Sequence, residues 1–262
     1  MVIGKGNPSS HLNDFELGQI VEESLTATDL DGKRILVLIP DGTRTMPMPL
    51  MFNLFEKHLG ERAAKLDYLV ALGTHQPMSD AQLSKLVGRP VLNGEVGKST
   101  IFNHRWDQTS TFVEIGLIPK TEISQISNGL LSMDVPVRLN KMIHDYDHLI
   151  ICGPVFPHEV VGFSGGNKYF FPGIAGAEII NFTHWLGALI TNYEIIGAGY
   201  TPVRAVIDRA ASFIEQPVTS FCLVLTHDGT NGLYYGPAQE AWQAASQLSS
   251  QVHILYVDQP YE

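Results

Sequence analysis

Only 2 of the 262 residues are cysteine, and both, Cys152 and Cys222, sit in apolar runs that read as strands. That scarcity argues against a disulfide framework and makes a reducing, cytoplasmic compartment the expectation. Charge is scarce as well, at 17 % of residues, and basic charge scarcer still: 17 lysines and arginines face 27 acidic residues, a formal net charge of −10. So acidic a balance disfavours nucleic acid or an anionic membrane as the main partner, while leaving room for one local basic pocket. Long hydrophobic runs are missing too. The run Leu149 to Phe156 is broken by Gly153 and Pro154 and falls well short of the roughly 20 residues of a membrane span. Met1 to Ser10 is polar, with no apolar signal segment. What remains is a 44 % hydrophobic chain long enough to bury a sizeable core.

Short β-rich runs alternate with helical patterns, which predicts an α/β protein: a mixed or mostly parallel sheet with helices on both faces. Arg34 to Ile39 and Tyr68 to Leu72 read as strands, and Pro49 to Leu59 as a helix stopped by Gly60. Ser79 with Gln82 forms a capping box for a helix to Val87. Lys98 to Ile115 reads as two strands joined by a polar stretch, and His148 to Cys152 as a buried strand. Helices are expected over Glu178 to Ile190, after Thr201-Pro202, and over Ala238 to Leu248. Strands are expected at Phe221 to Leu225 and Val252 to Val257. Residues 1–262 are therefore read as a single α/β domain, with a boundary near 255–262 where the alternation breaks off.

Function in open α/β sheets resides in loops at strand ends. Three such loops carry polar groups: Asp41-Gly42-Thr43-Arg44, Gly73-Thr74-His75-Gln76-Pro77, and Gly153 to His158. The sharpest segment is Gly162-Phe163-Ser164-Gly165-Gly166-Asn167-Lys168. Glycines there permit positive φ and close backbone approach to an anion, and Lys168 adds an amine for phosphate or for a covalent link. Taken alone, the segment is equally compatible with a surface turn. It is not a Walker A loop, because Tyr169 follows the lysine; nor is Gly97-Lys98-Ser99-Thr100, where Leu92 replaces the required glycine. Of ten histidines, His75, His158 and His184 flank the singled-out loops and suit proton transfer or metal ligation. Their spacing matches no zinc motif, and no Gly-x-Ser-x-Gly elbow is present. Trp106, Phe112, Phe170, Phe171 and Trp185 are expected in the core, with Trp185 alternatively lining a pocket beside His184.

Together these motifs resemble the nickel-dependent lactate racemase family. The likeness runs from Leu36 to Ala241, and its most specific part is His158, then Lys168 after the glycine loop, then His184. The resemblance implies a nickel pincer cofactor, a nicotinate-derived mononucleotide held covalently by Lys168, with His184 as the protein's ligand to nickel. It implies His75 and His158 as the two acid/base groups on opposite faces of a small 2-hydroxy acid. Arg44, beside Asp41 and Thr43, would bind the substrate carboxylate or the cofactor, and Gly165 and Gly166 would lie against the cofactor. The implied reaction is racemisation or epimerisation, with the α-hydrogen passing as hydride to the cofactor. Proteins that make and insert the cofactor are implied as partners.

Two departures bear on activity. Gln76 stands where the family often has arginine, and the family's second, C-terminal α/β domain is expected to be absent. An apolar face is then exposed for that domain or a second copy of the chain to cover. Competing readings are a racemase domain inactive without its second domain, a non-catalytic nucleotide- or phosphate-binding module, and a histidine-ligated metal hydrolase.

Overall fold

The computed structural model describes residues 1–255. The chain opens with β1 (Ile3–Gly6), α1 (Asp14–Ala27), β2 (Arg34–Ile39), α2 (Met48–Leu59), β3 (Lys65–Val70) and α3 (Asp80–Val87). A hairpin of β4 (Glu95–Val96) and β5 (Ser99–Asn103) leads to β6 (Phe112–Ile118), α4 (Lys120–Ile126), β7 (Val135–Asn140) and β8 (His148–Pro154). The short pair β9 (Pro157–His158) and β10 (Gly162–Phe163) precedes α5 (Ala177–Ile190), α6 (Asn192–Ile195) and α7 (Pro202–Ala211). β11 (Val218–Thr226), β12 (Gly229–Pro237) and α8 (Ala238–His253) complete it.

Eight strands form one sheet in the order β1-β12-β11-β8-β2-β3-β5-β4. Its five central strands are parallel, and antiparallel pairs close both edges. The expected mixed, mostly parallel sheet is therefore present. β2 shows why the sequence folds this way. Ile35, Val37 and Ile39 point into a core with α1, α2 and α3, while Leu36 and Leu38 point into another with α5 and α7. A strand covered on both faces must be apolar throughout, as Ile35 to Ile39 is. Each such side chain contributes about 1.5–3 kcal/mol on burial.

Local signals act as the sequence predicts around α3. Ser79 Oγ accepts from the Gln82 amide, the Gln82 side chain accepts from the Ser79 amide, and Gly88 ends the helix at φ +71°. Gly97 sits at φ +64° in the turn between β4 and β5, so the rejected Walker-like stretch is a hairpin. Both cysteines are buried free thiols, and no helix among the described residues is long and apolar enough to cross a membrane.

The two strands read between Lys98 and Ile115 are present, β5 in the main sheet and β6 paired with β7 in a separate two-stranded sheet. Other expectations need correction. Val252 and His253 belong to α8 rather than to a strand. There His253 Nε2 lies 2.9 Å from the Leu225 carbonyl, and Val252 packs with the cluster around Val224 and Trp242, which favours one more helical turn. The rest of that expected strand, from Tyr256, and most of the expected boundary at 255–262 lie outside the described residues. In α5, Ile179, Phe182 and Leu186 are buried as expected, but Leu189 is 44 % exposed. Phe170 and Phe171 are core residues, whereas Trp106 and Phe112 are only half-buried and Trp185 is exposed.

Candidate active site

Because β8, β2 and β3 are adjacent and parallel, their carboxyl ends release three loops along one edge of the sheet. Those loops, the glycine segment and one face of α5 enclose a cleft of about 280 Å³. Its lining brings together Asp41, Arg44, His75, His158, Lys168 and His184, with Gly165 at its edge. Residues spread over 143 positions of sequence (41 to 184) thus converge on one cleft.

Asp41 is the buried anchor of one wall. Its Oδ1 accepts from the Thr43 amide at 3.0 Å and the Thr43 hydroxyl at 2.5 Å, an Asx turn that follows from the Asp-Gly-Thr sequence. Its Oδ2 lies 2.5 Å from His75 Nδ1. Burial works against the charge on Asp41, but the bonds from His75 and Thr43 outweigh it and hold the carboxyl below its ordinary range. The carboxylate only accepts, so His75 Nδ1 carries a proton, and in the ring's neutral form the lone pair is on Nε2. Trp106 Nε1 donates to the His75 carbonyl at 2.7 Å and steadies the same loop.

His158 is in the opposite state. It lies at the turn joining β9 and β10, and the Val160 amide donates to its Nδ1 at 3.1 Å. A backbone N–H can only donate, so the neutral ring carries its proton on Nε2. Burial first, then the cations Lys168 and Arg44, pushes His158 down to about 3. Glu159 Oε2 stands 3.5 Å from the same Nδ1, but a neutral ring makes no ion pair with it. One histidine thus offers an acceptor to the cleft and the other a donor.

Lys168 follows the glycine segment in a 3₁₀ turn, Gly166–Tyr169. Burial, then Arg44 and Arg204, lowers its amine to about 8, so a substantial neutral fraction exists near physiological pH. Arg44 is exposed and lies 5.5 Å over the Phe156 ring. Among the described residues neither Arg44 nor Lys168 is within ion-pair distance of a carboxylate. A −10 chain has therefore kept two cations available for an anionic ligand.

His184 stands exposed on α5, with Nδ1 2.7 Å from the Ile180 carbonyl. That bond fixes the proton on Nδ1 and leaves Nε2 free to ligate. No group of three or more His, Cys, Asp or Glu side chains among the described residues could hold a metal ion. The donor set therefore does not fit a bare ion held by protein alone. The donors the cleft does present are one imidazole nitrogen, His184 Nε2, and one amine, Lys168.

Two sequence candidates lie elsewhere. Thr43 lines an adjoining depression of about 760 Å³ with Gln76, Met46, Met48 and Met78, which shares Asp41, Arg44 and His75 with the cleft. Gly166 is buried at φ +57° beneath Trp242, where a Cβ would sit 2.9 Å from the Trp242 Cβ; its requirement for glycine is packing. Gly165, at φ +80°, does line the cleft. Sequence reasoning missed Glu159, the Trp106 support and the Asp41–His75 pairing. Only the last had a local signal, the Asx turn, which turns the carboxylate's second oxygen away from its own loop.

An α/β domain whose parallel strands present a histidine–lysine–arginine cleft at their carboxyl ends defines the class. The family described as lactate racemase N-terminal domain matches residues 18–196, and the chain belongs to it. It is 31 % identical over 156 residues to the lactate racemase of Lactiplantibacillus plantarum, covering 58 % of this chain and 33 % of that protein. To the lactate racemase of Thermoanaerobacterium thermosaccharolyticum it is 27 % identical over 156 residues, covering 58 % and 32 %. The chain thus spans about a third of the curated relatives it matches. A crystal structure of a Thermotoga maritima protein superposes with a TM-score of 0.86 at 26 % identity, over 98 % of this chain and 63 % of that one. The lactate racemase apoprotein of T. thermosaccharolyticum shares the fold, with a TM-score of 0.69 at 19 % identity over 93 % and 56 %.

Proposed function

We propose that this domain carries the cofactor attachment and the acid/base pair of a racemase or epimerase acting on a small 2-hydroxy acid, lactate or a relative. The observation that carries the reading is the convergence of Arg44, His75, His158, Lys168 and His184 on one cleft, with the two candidate acid/base histidines in opposite hydrogen-bonding states. Arg44, free of protein carboxylates, would bind the substrate carboxylate. His75, its Nδ1 proton held by Asp41, would take the hydroxyl proton on Nε2, and Asp41 would stabilise the resulting imidazolium. When the hydroxyl lies on the other side, His158 would be the base, in the tautomer with its proton on Nδ1 and Nε2 free; reaching it means giving up the bond from the Val160 amide. Two such groups are needed because inversion turns the hydroxyl toward opposite walls.

Lys168 would tether the nickel pincer nucleotide, and His184 Nε2 would complete the metal's ligands. When bound, that group supplies a hydride acceptor for an α-hydrogen too weakly acidic to leave as a proton. The reading brings with it cofactor-synthesis and insertion proteins as partners and a cytoplasmic location. It also calls for cover over the open side, from a C-terminal domain like the remaining length of its relatives or from a second copy. Exposed Trp185, Leu189, Tyr193, Ile196 and Tyr200, on α5, α6 and the stretch before α7, are where such cover would sit.

The test is loss of optical rotation from single-enantiomer lactate, malate and longer 2-hydroxy acids, using protein supplied with cofactor. Decay that requires Lys168, His75 and His158 is expected. Full activity in Lys168→Ala would overturn the reading. Tight binding of nicotinate mononucleotide without metal, and with no turnover, would instead favour a nucleotide-binding module.

A further inference from the structure

The glycine segment is held from beneath by side chains the cleft never sees. Arg204 on α7 is 1 % exposed; its Nη2 donates to the Phe163 carbonyl at 2.5 Å and its Nη1 to the Gly165 carbonyl at 3.2 Å. Trp242 on α8 donates from Nε1 to the Ser164 carbonyl at 2.8 Å, and its ring lies 4.2 Å beneath the Arg204 guanidinium. Three consecutive carbonyls are therefore taken from one side by two side chains on two helices. Asn167 Nδ2 donates to Asp208 Oδ1 at 2.9 Å, fixing the residue immediately before the lysine. The Gly165 oxygen held by Arg204 also accepts the Lys168 amide at 3.3 Å, which closes the turn that carries the amine.

We infer that Arg204, stacked on Trp242, is a positioning residue that shapes the glycine segment and so aims the Lys168 amine into the cleft. A buried guanidinium without an ion pair within 4 Å costs desolvation that neutral packing would avoid, so fold stability alone is a poor reason for it. Its charge also lies close enough to depress the amine, after burial and together with Arg44 and against Glu159. The cleft's other titratable groups include His158, which stays neutral, Asp41, His75 and His184, and Asp208 faces Arg204 from the same helix. The purpose assigned to the device rests on Lys168 as the attachment point, but the device can be tested without cofactor or turnover.

The experiment is acylation of the chain's lysines by an amine-selective acetylating reagent across pH, read by peptide mass spectrometry. Exposed Lys57 and Lys120 serve as internal references. In the unaltered protein Lys168 is expected to acylate with a midpoint near 8. Arg204→Gln should raise that midpoint by roughly 0.5–1 unit and leave the references unmoved, and it should speed hydrogen exchange at the Lys168 amide about tenfold. Arg204→Lys, which keeps charge but loses the fork, should hold the midpoint near its original value while still speeding exchange. A folded Arg204→Gln protein with unchanged midpoint and exchange would overturn the inference. Should Arg204→Gln fail to fold, Trp242→Phe decides, since it keeps the ring and frees only the Ser164 carbonyl. Exchange at Lys168 at least twofold faster there supports positioning, and unaltered exchange and midpoint overturn it. Failure of racemisation with an intact clamp would count against the proposed activity and leave this inference standing.

Discussion

At the inner end of the cleft His158 and Lys168 grow out of the interior, on a short hairpin and a glycine turn fastened by Arg204, Trp242 and Asp208. Toward the mouth, Arg44, His75 and His184 stand at the surface, and only Asp41 beneath His75 is buried. The difference separates two kinds of preparation. The inner wall is preorganised by packing, so its proton positions and amine charge are set before a ligand arrives. The outer wall is preorganised at single hydrogen bonds, Asp41 to His75 and Ile180 to His184, and is otherwise open to water.

That contrast predicts where damage is greatest. Removing either imidazole, by His158→Ala or His75→Ala, is expected to lower racemisation in the loaded protein by about 10²–10⁴-fold, measured by polarimetry. An effect at His75 alone would mean that only the outer wall performs proton transfer. The next largest effect separates buried histidines from exposed ones by pH. His104 and His148 are buried and held down to about 4, chiefly by burial. Their neutral form stabilises the fold fully above the ordinary histidine value of about 6.5, and this is lost as pH falls toward 4. The unfolding free energy from urea titration should therefore drop between pH 7 and pH 5, by about 2 kcal/mol for each ring, and the midpoint with it. His104→Asn should shrink that drop, and a pH-independent midpoint would contradict the burial argument.

Smaller effects distinguish packing from a single bond. Gly166→Ala, forced against Trp242 at positive φ, should destabilise the inner wall by about 1–3 kcal/mol in urea denaturation. Asp41→Asn leaves the volume unchanged but removes the carboxylate that holds the His75 proton. Activity should fall roughly 10- to 100-fold with little change in stability. Equal loss from Asp41→Asn and His75→Ala would make orientation the whole of His75's contribution. Smallest of all, Trp185→Ser at the open rim should leave the chain's unfolding free energy in urea within about 0.5 kcal/mol. A larger loss would show that this face is already covered in solution.

The outer wall was readable because its chemistry lies in short motifs. Asp41, Thr43 and Arg44 follow one apolar strand and His75 follows another, and adjacent parallel strands put both loops on one edge. The inner wall was readable only on its cleft side, through the glycines and Lys168. Its support lies 36 and 74 residues beyond the lysine, at Arg204 and Trp242, and neither declares itself locally. Arg204 follows Val203 at the start of an amphipathic stripe, where a charged residue reads as solvent-facing. The sheet's centre was legible because strands buried on both faces are apolar throughout. Its edges were not: β1 and β12 are glycine-containing and paired through backbone, as in Gly4 with Tyr234 and Gly6 with Gly232. Helix α8 outran its expected end because Val252 and Ile254 alternate like a strand, while packing on β11 continues the helix to His253.

The two free thiols acquire a meaning from where they lie. Cys222 is fully enclosed beside Ser220, and burial pushes its thiol up to about 11; Cys152 is pushed higher still, by burial and by Cys222. At neutral pH about one Cys222 in 10⁴ is a thiolate. Both sulfurs are thus held as enclosed, protonated thiols, without the thiolate that oxidants and metal ions require. The chain's two cysteines therefore act as small apolar packing residues inside the sheet rather than as reactive groups.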